Sequence, residues 1–269
     1  MLKYSKIRVG KKHTEEFCVY ITKDEKIISP FHDVELYPEN NQYISVINEI
    51  PRFENGKFEI NVKRDYNPIV QDKKNGELRY VDNIFPFKGY PWNYGAIPQT
   101  WENPEKIDEH TGLKGDNDPL DAIDISSVYK GIGDVYQAKI LGVLGLIDDG
   151  ECDYKILVID KNDPKISLIN NLEDVETYFP GLLEHTCDWF KYYKIPDNKP
   201  QNLLCFNERF QNKELAKQII TECHKSWKSL MENDNVGKKV NKTRGPMILD
   251  GQDNGEDESN IYTGYYHRF

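Results

Sequence analysis

KILGVLGLIDDGECDYKILVID, residues 139 to 160, decides the fold. Two apolar runs of strand length flank a single Asp149-Gly150 pair. Asp-Gly between such runs is the strongest local signal for a β-hairpin. Further strands precede it. EFCVYIT (16–22) and YISVINEI (43–50) carry β-branched and aromatic residues at strand density. KFEINV (57–62) alternates, with Phe58, Ile60 and Val62 on one face and Lys57, Glu59 and Asn61 on the other. Strands this close together, broken by Gly and Asp rather than by long helices, predict an antiparallel barrel or sandwich.

Helices follow. NLEDVETYF (171–179) has acidic residues in its first turn, as the helix dipole favours. Pro180 breaks or restarts it, and LLEHTCDWFKYYK (182–194) continues to a stop at IPDNKP. From Lys213 to Met231 the apolar positions Leu215, Ile219, Cys223, Trp227 and Met231 recur every four residues, a buried stripe on one helix. After Glu232 the composition collapses to Asn, Asp, Gly, Lys and Glu. Residues 1–231 are therefore expected to form one domain, and 232–269 a polar, flexible tail whose terminal YTGYYHRF could dock on a surface.

The totals narrow the function. The chain has 269 residues, 38 % of them hydrophobic, with 17 tyrosines, enough apolar surface for a sizeable core. A net charge of −10 disfavours a nucleic-acid or acidic-membrane partner, since phosphate backbones need clustered Lys and Arg. Cys18, Cys152, Cys187, Cys205 and Cys223 form no CxxC pair, which argues against a disulfide framework and for a reducing compartment. The N-terminus has no apolar secretory core, and the longest apolar run, 140–147, is far short of the about 20 residues that span a bilayer. The expected setting is cytoplasmic, with no membrane.

GDNDPLDAIDIS, 115–126, crowds Asp116, Asp118 and Asp121 together. Pro119 restricts Asp118 to an extended conformation, so Asp116 and Asp118 are expected to point to one side. Such a cluster is electrostatically costly unless a cation sits in it. It is no EF-hand: the sixth loop position is Asp121 rather than Gly, and the twelfth is Ser127 rather than Glu. DGQDNG (250–255) fails the same test. Zinc is disfavoured because no HxxxH spacing or nearby Cys accompanies the aspartates. All-oxygen ligands select a hard ion, Mg²⁺ or Mn²⁺. A second acidic group, Asp148, Asp149, Glu151 and Asp153, overlaps the hairpin turn and reads equally well as structure. Asp153 shares a strand face with Lys155, and Glu59 with Lys57. These are salt bridges or a site that holds metal and oxyanion together. RYVDNIFPFKGYPWNYGAIPQTW (79–101) is either an aromatic loop packed on the core or a source of phosphate contacts. Tyr193 and Lys194 close a helix. Phosphate-loop, dinucleotide and GxSxG motifs are missing.

Taken together, GDNDPLD, NEIPRF with KFEI, LRYV, KGYPWNYGAIPQTW, DDGECDYK, DVETYFPG and WFKYYKIPDNKP resemble the soluble family I inorganic pyrophosphatases in their longer eukaryotic form. The similarity runs from about Ile7 to Trp227, and the DNDPLD run is specific to that family. The resemblance implies a mainly β (α+β) fold, an OB-like closed antiparallel β-barrel flanked by two helices of the C-terminal half. It implies hydrolysis of pyrophosphate to two orthophosphates using several Mg²⁺ ions, with Mn²⁺ a possible substitute. By matching position, Asp116, Asp121 and Asp153 resemble the principal metal ligands, joined by Glu59 and Asp148, with Glu151 nearby. Asp118 resembles the residue that orients and deprotonates the attacking water, and Tyr90 the proton donor. Lys57, Arg79, Tyr193 and Lys194 resemble phosphate contacts, and Tyr94 and Lys155 line the same cleft. Glu49 also falls in a matching segment. A homodimer is implied, with Arg52, Phe53 and the tail where eukaryotic relatives build their interface. Lys88 and the sequence after 232 depart from the family pattern.

The chemistry is coherent. Paired divalent ions about 3.5–4 Å apart activate a shared water, and Lys57, Arg79 and Lys194 offset charge on the leaving phosphate. Two other readings are a broader polyphosphate or nucleotide phosphohydrolase, and an OB-type binding module stacking bases on Tyr90, Trp92 and Tyr94. The acidic balance argues against the latter.

Overall fold

The Asp149-Gly150 turn forms as its sequence predicts. Both residues have positive φ (49° and 89°), the geometry of a two-residue hairpin, and Asp148 pairs with Glu151 across it. The computed structural model describes residues 4–39 and 41–247. Along the chain lie β1 (Tyr4–Val9), β2 (Cys18–Lys23), β3 (Lys26–Ile28), β4 (Ile44–Ile50), β5 (Phe58–Ile60), β6 (Ile69–Gln71), β7 (Lys73–Lys74), β8 (Glu77–Leu78), β9 (Asn93–Ala96), β10 (Asp121–Asp124), β11 (Val135–Asp148) and β12 (Glu151–Asp160). Then follow α1 (Leu172–Tyr178), α2 (Leu182–Tyr192), β13 (Leu203–Leu204), β14 (Gln211–Asn212) and α3 (Lys213–Glu232).

The main sheet pairs β12 with β10, β10 with β9, β9 with β4, β4 with β11, and β11 again with β12. The pairings thus return to their starting strand, as an OB-like barrel requires. All are antiparallel except β10–β12, which is parallel. A register shift between Ile140 and Gly142 lets the long β11 pair with β4 at one end and β12 along the rest. Gly95 permits the tightest strand contact: a Cβ there would lie 2.0 Å from the Ile47 carbonyl oxygen. A second sheet, β1-β2-β6-β5 with β3 on β2, packs beside the ring.

Side chains of β12 alternate between two cores. Cys152, Tyr154, Ile156 and Val158 join Ala216, Ile219 and Ile220 of α3 in one core. Leu157 and Ile159 face the other, with Ile47, Tyr94, Ile123 and Trp189. The second face continues toward the hairpin as Lys155 and Asp153, so the apolar interior gives way to charge at one end.

Asparagine side chains cap two of the helices. Asn171 accepts from Asp174 N at 2.8 Å and Asn212 from Leu215 N at 3.0 Å. Pro180 does separate two helices, with Gly181 between them at φ 80°. The α3 stripe is rotated from its expected position. Ala216, Ile219, Ile220, Trp227 and Leu230 are buried, whereas Leu215, Cys223 and Met231 are only half-buried, because α3 lies across β11 and contacts it over a broader face than a four-residue repeat describes. All five cysteines are free thiols. No described helix is long and apolar enough to cross a membrane.

Residues 233–247, expected to belong to the polar tail, lie against the barrel: Asn241 N donates to Val62 O, Met247 bridges Ile27, and Val240 is buried. DGQDNG and YTGYYHRF lie outside the described residues.

Candidate active site

Strand register alone brings the first site residues together. In the parallel β10–β12 pair Asp121 stands opposite Lys155. Asp153, two residues back on β12, shares the Lys155 face. Lys155 Nζ donates to both carboxylates, and Tyr94 OH on β9 donates to Asp121 Oδ2 at 2.5 Å. Lys155 is only 3 % exposed at its side chain. Burial opposes its charge, but Asp121 and Asp153 outweigh it and raise its pKa well above the usual lysine range.

Asp116 and Asp118 enter from the loop before β10. The extended run expected there is a turn: Asn117 sits at φ 76°, and Asp118 N donates to Asp116 Oδ1 at 3.0 Å. Trp101 Nε1 holds the turn through Asn117 O at 3.2 Å. Pro119 restricts Asp118 alone, so it does not oppose the turn that Asn117 makes one residue earlier.

A cleft of about 330 Å³ collects these groups. Every residue given a metal, catalytic or phosphate role by the resemblance lines it: Asp116, Asp118, Asp121, Asp148, Asp153, Glu59, Lys57, Arg79, Lys155, Lys194, Tyr90, Tyr94 and Tyr193, with Glu49 and Glu151. Lys57 pairs with Glu59 at 2.7 Å and Arg79 with Asp72 at 2.9 Å. Lys194 pairs with Asp148, to which Tyr193 OH also donates at 3.4 Å. Glu49 Oε1 accepts from Ile60 N at 2.6 Å. An aromatic wall sets these positions. Trp189 of α2 stacks on Tyr193 (4.7 Å between centroids, 4° apart) and lies 4.9 Å from Tyr90, which lies 5.2 Å from Tyr94. Burial pushes the Tyr90 hydroxyl up to about 12, against Lys57 and Arg79, which favour its ionised form.

The donor set suits a hard cation. Burial, then the charges of Asp153 and Asp118, raise the Asp116 carboxyl well above its ordinary value. Burial, then Glu59, raises Asp118 to about 7, and burial raises Asp153 to about 6 although Lys155 opposes it. Glu102, Asp116 and Asp153 each offer an oxygen within 4.8 Å of the others. Glu102 is 3 % exposed, and its Oε2 is buried with no hydrogen-bond partner among the described residues. An unsatisfied buried oxygen among repelling carboxylates is the environment a divalent cation relieves.

Glu102 was not legible in the sequence. It is a single acid after Trp101, and only the bonds Glu102 N to Asp118 O and Asn117 N to Glu102 O, each 2.9 Å, carry it to the aspartate turn. Asp72 was equally silent. No spacing rule linked it to Arg79, though the short β7–β8 hairpin between them explains the meeting.

The profile of the family "Inorganic pyrophosphatase" matches residues 46–228. An inorganic pyrophosphatase of Encephalitozoon cuniculi is 50 % identical over 254 residues, 91 % of this chain and 92 % of that protein. One from Drosophila melanogaster is 47 % identical over 245 residues, covering 90 % and 72 %. Among solved structures, the inorganic pyrophosphatase of Schistosoma japonicum superposes with a TM-score of 0.83 at 45 % identity, covering 84 % of this chain and 81 % of that one. A Trypanosoma cruzi vacuolar soluble pyrophosphatase, solved with PPi, gives 0.81 at 34 % identity, covering 87 % and 93 %.

Proposed function

The chain belongs to the inorganic pyrophosphatase family, and on that premise we propose how its cleft hydrolyses pyrophosphate to two orthophosphates. The observation that carries the reading is the two-sided cleft. Asp116, Asp118, Asp121, Asp153 and Glu59 line it together with Lys57, Arg79 and Lys194. Asp116, Asp121 and Asp153 would hold Mg²⁺, with Mn²⁺ a substitute, and Glu59 and Asp148 would take further ions that arrive with substrate. Divalent ions bound there offset the carboxylate charge and lower the pKa of water from about 15.7 towards about 7.

The chain's own side chains do the rest. Asp118 orients the attacking water and accepts its proton. Arg79, fixed by Asp72, presents its planar fork to two phosphate oxygens, while Lys57 and Lys194 act as point charges. Tyr193, Tyr94 and Lys155 bind the remaining phosphate oxygens. The bridging P–O bond breaks, and Tyr90, held neutral by burial, donates a proton to the departing phosphate. The protein is proposed to work as a cytoplasmic homodimer.

Phosphate release from purified protein and pyrophosphate tests this. Release should require added Mg²⁺ and stop with a chelator. Asp118→Asn should keep its circular dichroism and lose roughly 10²–10⁴-fold in kcat. Metal-independent release, or a near-normal Asp118→Asn, would overturn the assignment.

A further inference from the structure

The cations of the cleft form an inner and an outer group, with Lys57 and Arg79 between them at 26 % and 21 % exposed. The inner ones, Lys155 and Lys194, are 3 % and 5 % exposed and touch the inner carboxylates. The outer ones, Lys73 and Lys74 of β7 and Lys199 beyond α2, are 38–43 % exposed and stand at the rim. Each outer lysine has its own carboxylate. Lys74, on β7, reaches across to Asp197, in the turn after α2, at 2.6 Å. Lys199 reaches Asp149 in the β11–β12 turn at 2.5 Å, and Lys194 lies 3.4 Å from the same oxygen. Lys73 pairs with Glu15.

The sequence reading gave Asp197 no role. It lines the cleft yet stands apart from the Asp116–Asp121–Asp153 group. At about 330 Å³ the cleft is near the small end of ligand pockets. On the pyrophosphatase reading a two-phosphate anion would occupy the inner part of the cleft, and a third phosphate or a nucleoside would extend outward towards the rim.

We propose that Asp197, held across the mouth by Lys74, is a specificity-determining residue: its fixed negative charge rejects phosphate chains longer than two units. This rests on the pyrophosphatase reading above. Specificity of this kind is built from repulsion as much as attraction. A half-exposed ion pair contributes little to folding, so its placement is free to serve selection. Lys74 positions the carboxylate and partly offsets it, which lets pyrophosphate enter.

The test uses the full-length protein with Mg²⁺ and compares kcat/KM for pyrophosphate and inorganic tripolyphosphate. Asp197→Asn removes the repelling charge and leaves Lys74 unopposed. The tripolyphosphate-to-pyrophosphate ratio should rise about tenfold, mostly through a lower tripolyphosphate KM, with pyrophosphate turnover near wild type. Lys74→Gln breaks the same pair but bares the carboxylate, so the ratio should fall. Opposite shifts from the two variants support selection by charge. Shifts in the same direction, or no shift, in a wild-type background that hydrolyses pyrophosphate would overturn the inference alone. A wild-type protein that releases no phosphate from pyrophosphate would overturn the functional reading, and the inference with it.

Discussion

Lys155 shows how much rests on single side chains. It is buried against Asp121 and Asp153 and is placed there by strand register. Removing one member of a buried charge cluster strands the others. Lys155→Met should therefore cost about 3–5 kcal/mol in urea unfolding with a chelator present. Added Mg²⁺ should recover part of that loss, because it binds the same carboxylates in the folded state. An equal loss with and without Mg²⁺ would argue that these oxygens hold no ion. The aspartates and Lys155 were legible because their spacing is local: 116, 118 and 121 in one loop, 153 and 155 on one strand face. Glu102 and Asp72 were not, since nothing within a few residues marks either, and each reaches the site through contacts set by the fold. The turn at Asn117 was missed because Pro119 constrains only Asp118, while the Asp116 side chain closes a turn on Asp118 N one residue earlier.

At the scale of elements, α2 does more than cover the core. Its Trp189 donates Nε1 to Gly89 O at 2.9 Å, meets Trp92 edge-on at 5.1 Å, and stacks on Tyr193. The helix ends at Tyr192, so Tyr193 and Lys194 fall just beyond it, over the cleft. Trp189→Ala should lower stability by about 3–5 kcal/mol. It should also reduce kcat/KM for pyrophosphate, because Tyr90 and Tyr193 lose the ring that spaces them. Trp189→Phe, which keeps a stacked ring, should lose less of both. Urea unfolding and steady-state kinetics on the pair check this, and unchanged kcat/KM in Trp189→Ala would detach the helix from the site. The break between α1 and α2 was readable from Pro180, whereas the Asn171 and Asn212 caps emerged only in the structure. The buried face of α3 was only roughly readable, since the angle at which it lies on β11 chooses which residues are covered.

At the scale of the whole molecule, residues 233–247 tie back to the barrel through His32. Trp227 Nε1 donates to His32 Nδ1 at 3.1 Å, which leaves Nε2–H to donate to Asn241 O at 2.9 Å. The Trp227 bond needs an unprotonated Nδ1, whereas the Asn241 bond survives protonation. Burial, against the Asn241 hydrogen bond and helped by Arg244 and Lys242, lowers its pKa to about 4, whereas an unfolded histidine titrates near about 6.5. Between these values the unfolded chain binds a proton that the folded chain refuses. The contribution of His32 is thus intact above pH about 6.5 and is lost as pH falls towards about 4, by up to about 1.4 kcal/mol per pH unit. Wild type and His32→Gln, unfolded in urea from pH 7.5 to 4.5, should converge at the acid end; a constant gap would mean His32 is not the titrating group. The sequence by itself determined the hairpin, the mainly β class and the aspartate cluster, because turn chemistry, alternation and charge crowding act over a few residues. Only the tertiary structure decided that β10 lies parallel to β12, that Glu102 and Asp72 join the site, that Asp197 meets Lys74 at its mouth, and that 233–247 packs on the barrel. Those outcomes depend on which distant surfaces bury one another, and that balance is settled by the whole core at once.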